Sequence, residues 1–266
     1  MENLVIYEKR DQVAWLTMNR PDALNALDEN MKGALIDALS AAEFDDDVRV
    51  VVLRGAGRHF QAGGDIRSFH HDVTTMATPA LKQRFMGKIN RSKLLLSAVR
   101  RMPKPVIASV HGQAVGFGLS FAALCDFTIA TESAKFALAY VRIGNSPDGA
   151  SSYVLPRAIG LKKATELAML GDSLTATEAK EHGLVNFVVA DDALAAETEK
   201  LVDRLAKSPT RALASIKKLM HASFQNSWEE QLQMEAECFV GNVASDDFRE
   251  ALTSFVEKRP ATFTGK

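Results

Sequence analysis

The chain has little cysteine and almost no net charge. Its 266 residues include only two cysteines, Cys125 and Cys238, and 32 lysines and arginines nearly balance 33 aspartates and glutamates. Two distant cysteines exclude a disulfide-rich scaffold and provide no metal-ligand spacing, so we expect no bound metal and a reducing compartment. A formal net charge of −1 gives no overall attraction to nucleic acid or to an anionic membrane surface.

Long uninterrupted apolar runs are also missing. The most apolar stretch, Pro105–Ala130, is broken by His111, Gln113 and Asp126, whereas a membrane-spanning helix needs about 20 predominantly apolar residues. The first residues, Met1–Leu4, lack the basic and apolar regions of a signal peptide. We therefore expect a cytoplasmic protein with no membrane partner and no nucleic-acid partner.

Apolar patterns along the first 190 or so residues alternate between strand and helix. Leu4–Tyr7 and Val13–Met18 predict a hairpin, and Val48–Leu53 predicts a strand buried on both faces. Asp28 is suited to cap the helix that follows it, and Leu81–Val99 carries one helical stripe of apolar residues. Such alternation is typical of an α/β fold.

The pattern changes after residue 192. Leu194–Leu205, Pro209–His221 and Trp228–Gly241 predict helices with hardly a strand among them. We therefore expect an α/β core over residues 1–192 and a helical C-terminal region over residues 193–266, with a role in oligomerisation.

Two glycine-bearing turns are the most informative local feature. Phe60–Ile66 and His111–Gly118 each follow an apolar strand. Glycine allows positive φ and lets the backbone approach a ligand closely. Two such turns can direct two backbone N–H groups at one point, which is the arrangement of an oxyanion hole. The pair of turns predicts chemistry on a carbonyl whose oxygen gains negative charge.

A set of short segments occurs in an order that resembles the crotonase, or enoyl-CoA hydratase/isomerase, superfamily. The segments are Asn19–Pro21, Leu24–Leu27, Phe60–Ile66, Lys104–Ala108, His111–Gly118, Cys125–Asp126, Ala134–Phe136, Ile143–Gly149, Leu155–Gly160 and Ala179–Val185. The segment Ser146–Tyr153 is closest in pattern to the Δ3,Δ2-enoyl-CoA isomerases.

This resemblance implies a fold, a ligand and an assembly. The fold would be a crotonase-like spiral of ββα units with a helical C-terminal trimerisation region, assembled as a homotrimer or a dimer of trimers. The ligand would be a coenzyme A thioester. Because coenzyme A is then part of the substrate, no separate cofactor is expected. The oxyanion hole would use the backbone N–H groups of Gly64 and Phe117. Phe117 replaces a glycine of the family's usual triple-glycine run but keeps the backbone donor.

The resemblance also implies a set of residues that contact the substrate or coenzyme A. These are Asn25, Ala26, Ala62, Gly63, Asp65, Ile66, Gly116, Ser120, Tyr140 and Lys258. Asp65 would lie near the adenine pocket, although it could equally cap a helix. Lys258 could meet coenzyme A phosphates from the same or a neighbouring subunit, or simply be solvated. The segment His70–Pro79 is expected to be a flexible loop over the acyl pocket, with its two histidines on the loop surface.

The acid–base residues depart from those of the best-known relatives. Enoyl-CoA hydratases resemble one another in carrying two glutamates, whose positions match Ser120 and Tyr140 here. A serine or tyrosine hydroxyl holds its proton too tightly to serve as a base near neutral pH. Asp148 matches the single acid–base carboxylate of the isomerases, so the resemblance implies an enoyl-CoA isomerase. Without it, Asp148 in Pro-Asp-Gly could be a turn residue that caps the next helix.

Three other functions stay open. One is hydration with an unusual base. Another is a 4-chlorobenzoyl-CoA dehalogenase-like reaction with Asp148 as nucleophile, which is disfavoured because Leu81–Val99 contains no histidine and Tyr140 stands where a tryptophan is needed. The last is a crotonase-fold RNA-binding or scaffold protein, which the lysines and arginines between Arg84 and Lys104 favour and the near-neutral net charge disfavours.

Overall fold

A computed structural model describes residues 3–266 of the chain. Its strands are β1 (Val5–Arg10), β2 (Val13–Met18), β3 (Val50–Gly55), β4 (Val106–Val110), β5 (Gln113–Val115), β6 (Phe127–Thr131), β7 (Lys135–Ala137), β8 (Ser173–Thr175) and β9 (Phe187–Val189). Its α-helices are α1 (Glu29–Phe44), α2 (Ile66–Thr75), α3 (Thr78–Arg101), α4 (Phe117–Leu124), α5 (Ser151–Ile159), α6 (Leu161–Leu170), α7 (Ala176–Glu181), α8 (Leu194–Ala206), α9 (Thr210–Ala222), α10 (Trp228–Val243) and α11 (Asp246–Glu257).

The main sheet has six strands in the order β1-β2-β3-β4-β6-β9. The β1–β2 hairpin is antiparallel, and every later pairing in this sheet is parallel. Strand residues alternate between two apolar clusters, since successive side chains point to opposite faces. In β3, Val51 and Leu53 face the cluster beneath α1 and α3, while Val50 and Val52 face the cluster beneath α8. Burial on both faces explains why the strand is a continuous apolar run.

A second sheet of three strands, in the order β5-β7-β8, lies beside the first. Two isolated parallel bridges involve the first glycine turn: Gln61 pairs with Ala114 of β5, and Gly64 pairs with Leu27, which precedes α1. The Gln61–Ala114 bridge holds the two glycine turns side by side, because Ala114 lies within the second turn.

The α/β core and the helices that follow it agree with the predicted fold class. Asp28 caps α1, accepting a hydrogen bond from the Met31 backbone N–H at 2.7 Å. The prediction of a loop over residues 70–79 is wrong, because α2 and the start of α3 occupy it. Asp65 supplies the N-cap of α2, and His70 and His71 are exposed on that helix rather than on a loop.

The helices after residue 193 are tied to the sheet as well as to one another. The Arg49 guanidinium, next to β3, donates to Thr210 Oγ1 at 2.8 Å, to the Phe263 carbonyl at 2.9 Å and to the Ser208 carbonyl. The last of these helices, α11, was not predicted from the sequence. Within residues 3–266, no helix combines the length and the apolar character needed to cross a bilayer.

Candidate active site

A cavity of about 230 Å³ lies where the two glycine turns meet α2, α3 and the Tyr140–Asp148 segment. Its wall includes Gly64 and Phe117 from the two turns and Asp148 from the loop before α5. A larger, open groove lies between α3, α9 and α10 and contains none of the predicted site residues. The smaller cavity is therefore the candidate active site.

The two glycine turns contact each other at the cavity. Gly63 and Gly116 both have positive φ, 90° and 56°, which side-chain-bearing residues rarely adopt. A Cβ atom added to Gly63 would lie 3.2 Å from the Val115 carbonyl oxygen and 3.8 Å from the Phe117 nitrogen. The first turn is held in shape by Gln61, whose side chain accepts from the Gly63 N–H and donates to the Gly63 carbonyl, both at 2.9 Å.

At this contact the backbone N–H groups of Gly64 and Phe117 have no protein acceptor within residues 3–266. Phe117 is the first residue of α4, and the N-cap of this helix, Gly116, offers no side-chain acceptor. The N–H group of Phe117, at the start of α4, is therefore available to a ligand. The positive end of the α4 dipole also favours negative charge here. The arrangement is suited to hold an oxygen that becomes anionic.

The Phe117 side chain leaves this backbone donor accessible. It is 4% exposed and its ring packs against the ring of Phe121, with centroids 5.8 Å apart. A Cβ atom added to Gly149 would come within 3.1 Å of the Phe117 ring and 3.0 Å of the Ser120 Cβ. The Phe117 ring and Ser120 thus form the surface on which the Asp148–Gly149 turn rests.

Tyr140 and Asp148 are paired at the cavity wall. The Tyr140 hydroxyl donates to Asp148 Oδ1 at 2.5 Å. Burial raises the pKa of Tyr140, and the negative charge of Asp148 raises it further, so the hydroxyl keeps its proton and acts as a donor. Ser120 is fully buried and donates from Oγ to the Gly116 carbonyl at 3.2 Å. Neither hydroxyl is placed as a base.

The carboxylate of Asp148 is not a helix cap. The N-cap of α5 is Ala150, and no side chain caps that helix. Asp148 contributes only its backbone carbonyl to the turn, accepting from the Ser151 N–H at 3.2 Å and the Ser151 hydroxyl at 2.7 Å. The turn interpretation accounts for the backbone of Asp148, and the side chain is left facing Tyr140 and the cavity.

Two buried lysines in the wall were not assigned to the site by the sequence analysis. Lys88 of α3 is 5% exposed and pairs with Asp72 of α2 at 2.5 Å. Lys32 of α1 is 6% exposed and pairs with Glu29 at 3.0 Å. Lys88 had been grouped with the basic residues that favoured RNA binding, but its burial removes it from any nucleic-acid surface. No local sequence signal reveals the pairing of residues 72 and 88, because they lie on different helices.

Three of the predicted contact residues line neither the cavity nor the groove next to it. Asn25 is fully buried, and its side chain accepts from the Arg20 N–H and donates to the carbonyls of Ala56, His59 and Phe60. It therefore supports the loop next to the cavity instead of facing the cavity. Ser120 lies beneath the lining, as described above. Lys258 is exposed at the C-terminal end of α11.

The other predicted residues surround the cavity or the groove next to it. Gly63, Gly116 and Tyr140 line the cavity. Ala26 and Asp65 line an adjacent shallow groove of about 300 Å³, and Ala62 and Ile66 border both. Asp65 caps α2 by accepting from the Ser68 N–H at 3.1 Å and also pairs with Arg20 at 3.0 Å, so the capping role proposed as its alternative is present.

Known proteins resemble this chain over nearly its whole length. The family model for enoyl-CoA hydratase/isomerase matches residues 8–266. The chain is 36% identical over 269 residues to 1,2-epoxyphenylacetyl-CoA isomerase of Escherichia coli, with 100% of each chain covered. It is 31% identical over 262 residues to trans-2-decenoyl-(acyl-carrier-protein) isomerase of Streptococcus mutans, with 98% of each covered.

A solved structure is similar to this chain in both fold and sequence. The putative enoyl-CoA hydratase from Streptomyces coelicolor superposes with a TM-score of 0.93 at 34% identity, over 99% of this chain and 94% of that one. The α/β core followed by C-terminal helices is thus a crotonase fold. Because the family match spans nearly the whole chain, this protein belongs to the crotonase, or enoyl-CoA hydratase/isomerase, superfamily and is an acyl-CoA-processing enzyme of that family.

Proposed function

We propose that this enzyme is an enoyl-CoA isomerase that shifts a double bond, with Asp148 as its single acid–base group. The observation that carries the proposal is the charge of the cavity wall. Within residues 3–266, Asp148 is the sole carboxylate in the lining, whose other charged members are Lys32, Lys88 and Arg142. Adding water across a double bond calls for two acid–base groups, whereas moving a proton between two carbons calls for one.

The reaction follows from this one carboxylate. Asp148 takes a proton from C2 of a 3-enoyl thioester, leaving a dienolate whose negative charge reaches the thioester oxygen. The N–H groups of Gly64 and Phe117 receive that oxygen, and donors of this kind stabilise the transition state more than the ground state. Asp148 then returns the proton at C4, which yields the 2-enoyl thioester.

Tyr140 acts in this scheme through Asp148. Its hydroxyl donates to Oδ1 and fixes the carboxylate, leaving Oδ2 to meet the substrate. A positioned base is more effective than a mobile one, because orientation is established before the reaction.

The names of the relatives support the isomerase and keep hydration as the second candidate. Two relatives are named as isomerases, while a protein of Rhodobacter capsulatus that is 35% identical is named a probable enoyl-CoA hydratase. The test is to give the enzyme 3-hexenoyl-CoA and crotonyl-CoA and to follow each product by liquid chromatography. Isomerisation of the first at a much higher kcat/KM than hydration of the second supports the proposal. Efficient hydration with little isomerisation overturns it.

The proposal includes binding of coenzyme A along the first glycine turn and assembly of several subunits. The groove lined by Ala26, Asp65 and Ile66 continues from the cavity and would take the adenine end of the ligand. The exposed surface of α9–α11 and of the turn between α9 and α10 carries large apolar side chains, namely Met220, Phe224, Trp228, Phe239, Phe255 and Val256. Such exposed apolar surface favours association, and Lys258 on α11 would then reach coenzyme A bound to a neighbouring subunit. Light scattering of the protein as it elutes from a size-exclusion column gives its mass and tests for a trimer or hexamer. A monomeric mass contradicts the proposed assembly.

A further inference from the structure

Beyond Gly64, the cavity wall combines two aromatic rings, those of Phe69 and Phe85, with the buried ammonium of Lys88. A Cβ atom on Gly64 would lie 2.6 Å from Cζ of Phe69, so that ring covers the glycine. The Lys88 ammonium lies 5.0 Å from the centre of the same ring and 5.2 Å from that of Phe85. One aromatic ring therefore separates the proposed thioester site from a buried cation.

Among the described residues, Lys88 and Lys32 each have one N–H group more than they have oxygen acceptors. A lysine ammonium carries three N–H groups. Within residues 3–266, Lys88 donates to Asp72 Oδ2 and to Ser68 Oγ at 3.1 Å, and Lys32 donates to Glu29 Oε1 and to the Lys88 carbonyl at 3.1 Å. Each ammonium thus has two protein acceptors for three N–H groups, and both lysines border the cavity.

Burying two cations beside a pocket for a purely aliphatic chain would be unfavourable. Removing an ion pair from water costs several kcal/mol per ion unless further hydrogen bonds compensate. A methyl group in this position would leave the third N–H groups unsatisfied, whereas an acceptor oxygen would complete them.

We propose that Lys88, assisted by Lys32, selects acyl groups that carry an acceptor oxygen at the end remote from the thioester. This inference rests on the proposed function only in taking the Gly64 end of the cavity as the thioester end. The ligand class is a compact acyl-CoA bearing a terminal hydroxyl or carboxylate. The cavity of about 230 Å³ is smaller than the roughly 300–1,000 Å³ of most ligand pockets, which fits a short chain.

Equilibrium binding tests this selection without turnover. Hexanoyl-CoA, ω-hydroxyhexanoyl-CoA and adipoyl-CoA have no double bond to shift, and their dissociation constants are measured by calorimetry. We expect the wild type to bind at least one oxygenated ligand about tenfold more tightly than hexanoyl-CoA, because a site built for a polar group rejects the analogue that lacks it. The Lys88→Met variant should lose this preference, and Lys82→Met, an exposed lysine on the same helix, should keep it.

A second variant guards against misfolding. Lys88→Met leaves Asp72 buried without its partner, which is strongly destabilising, whereas removing both charges of a buried pair is often tolerated. The Lys88→Met/Asp72→Asn variant should therefore fold and also lose the preference. Equal affinity of the wild type for all three ligands overturns the inference, as does a preference that survives in the double variant. If the wild type binds none of the three, the acyl-CoA site itself is misplaced, which distinguishes failure of the proposed function from failure of the selection.

Discussion

The Tyr140 hydroxyl lies 2.5 Å from Asp148 Oδ1 and donates to it, although seven residues, most of them exposed, separate the two along the chain. This bond ties the only carboxylate in the cavity lining of the described chain to a tyrosine that keeps its proton. The proposed acid–base group is thereby oriented by a residue whose position the sequence resemblance matches to a glutamate of the hydratases.

Removing the Tyr140 hydroxyl tests this orientation. In Tyr140→Phe the Asp148 carboxylate loses its donor and turns more freely, so we expect kcat for isomerisation to fall by about tenfold while KM changes little. Steady-state kinetics of the wild type and the variant give kcat and KM separately. A rise in KM with kcat unchanged would mean that Tyr140 only shapes the pocket.

The same hydroxyl makes stability sensitive to alkaline pH. Burial and the charge of Asp148 raise the pKa of Tyr140 in the folded protein, whereas the unfolded chain releases this proton near pH 10. The unfolded state thus binds fewer protons above about pH 10, so the free energy of unfolding falls as pH rises, by at most about 1.4 kcal/mol per unit from this group. Urea unfolding between pH 8 and 11 should give a shallower decline for Tyr140→Phe. Parallel curves would contradict the expectation.

The Phe117 backbone donor can be removed without disturbing the helix start. Proline is well tolerated at the first helical position, which Phe117 occupies in α4, and Phe117→Pro has no N–H. We expect this variant to lose about a hundredfold in kcat relative to Phe117→Ala, which loses the same ring but keeps the donor. Equal rates in the two variants would show that this N–H does not contact the reacting oxygen.

The Arg49 contacts with the C-terminal helical region stabilise the fold. Arg49→Met removes three hydrogen bonds, to Ser208, Thr210 and Phe263, and leaves the partly buried acceptors unpaired. We expect the free energy of unfolding to fall by roughly 2–3 kcal/mol. Lys207→Met removes only an exposed pair with Asp203 and should change it by less than about 1 kcal/mol. Similar urea midpoints for the two variants would argue against this role of Arg49.

The sequence predicted the β1–β2 hairpin, β3, the Asp28 cap and the contact of the two glycine turns, because apolar period and glycine placement act locally. It did not predict β5, which lies within the second glycine turn. It could not predict the Lys88–Asp72 pair, since that contact depends on how α2 and α3 pack. Part of the segment 66–75 was predicted as a loop, because its many polar residues obscure the apolar pattern of a helix. The structure shows that it is α2, whose N-cap is Asp65. Asn25 was expected to contact the ligand, yet its side chain donates hydrogen bonds to backbone carbonyls of residues 56–60. A sequence motif alone cannot distinguish a ligand contact from such a structural role.

The central claim is that one carboxylate, Asp148, moves the proton. The most direct test compares the isomerisation rate of 3-hexenoyl-CoA in the wild type, Asp148→Asn and Asp148→Ala at saturating substrate. Asparagine keeps the size of the side chain and the hydrogen bond from Tyr140 but cannot accept a substrate proton. We predict that both variants lose at least about a hundredfold in kcat while still binding acyl-CoA. A variant that isomerises at nearly the wild-type rate would contradict the account.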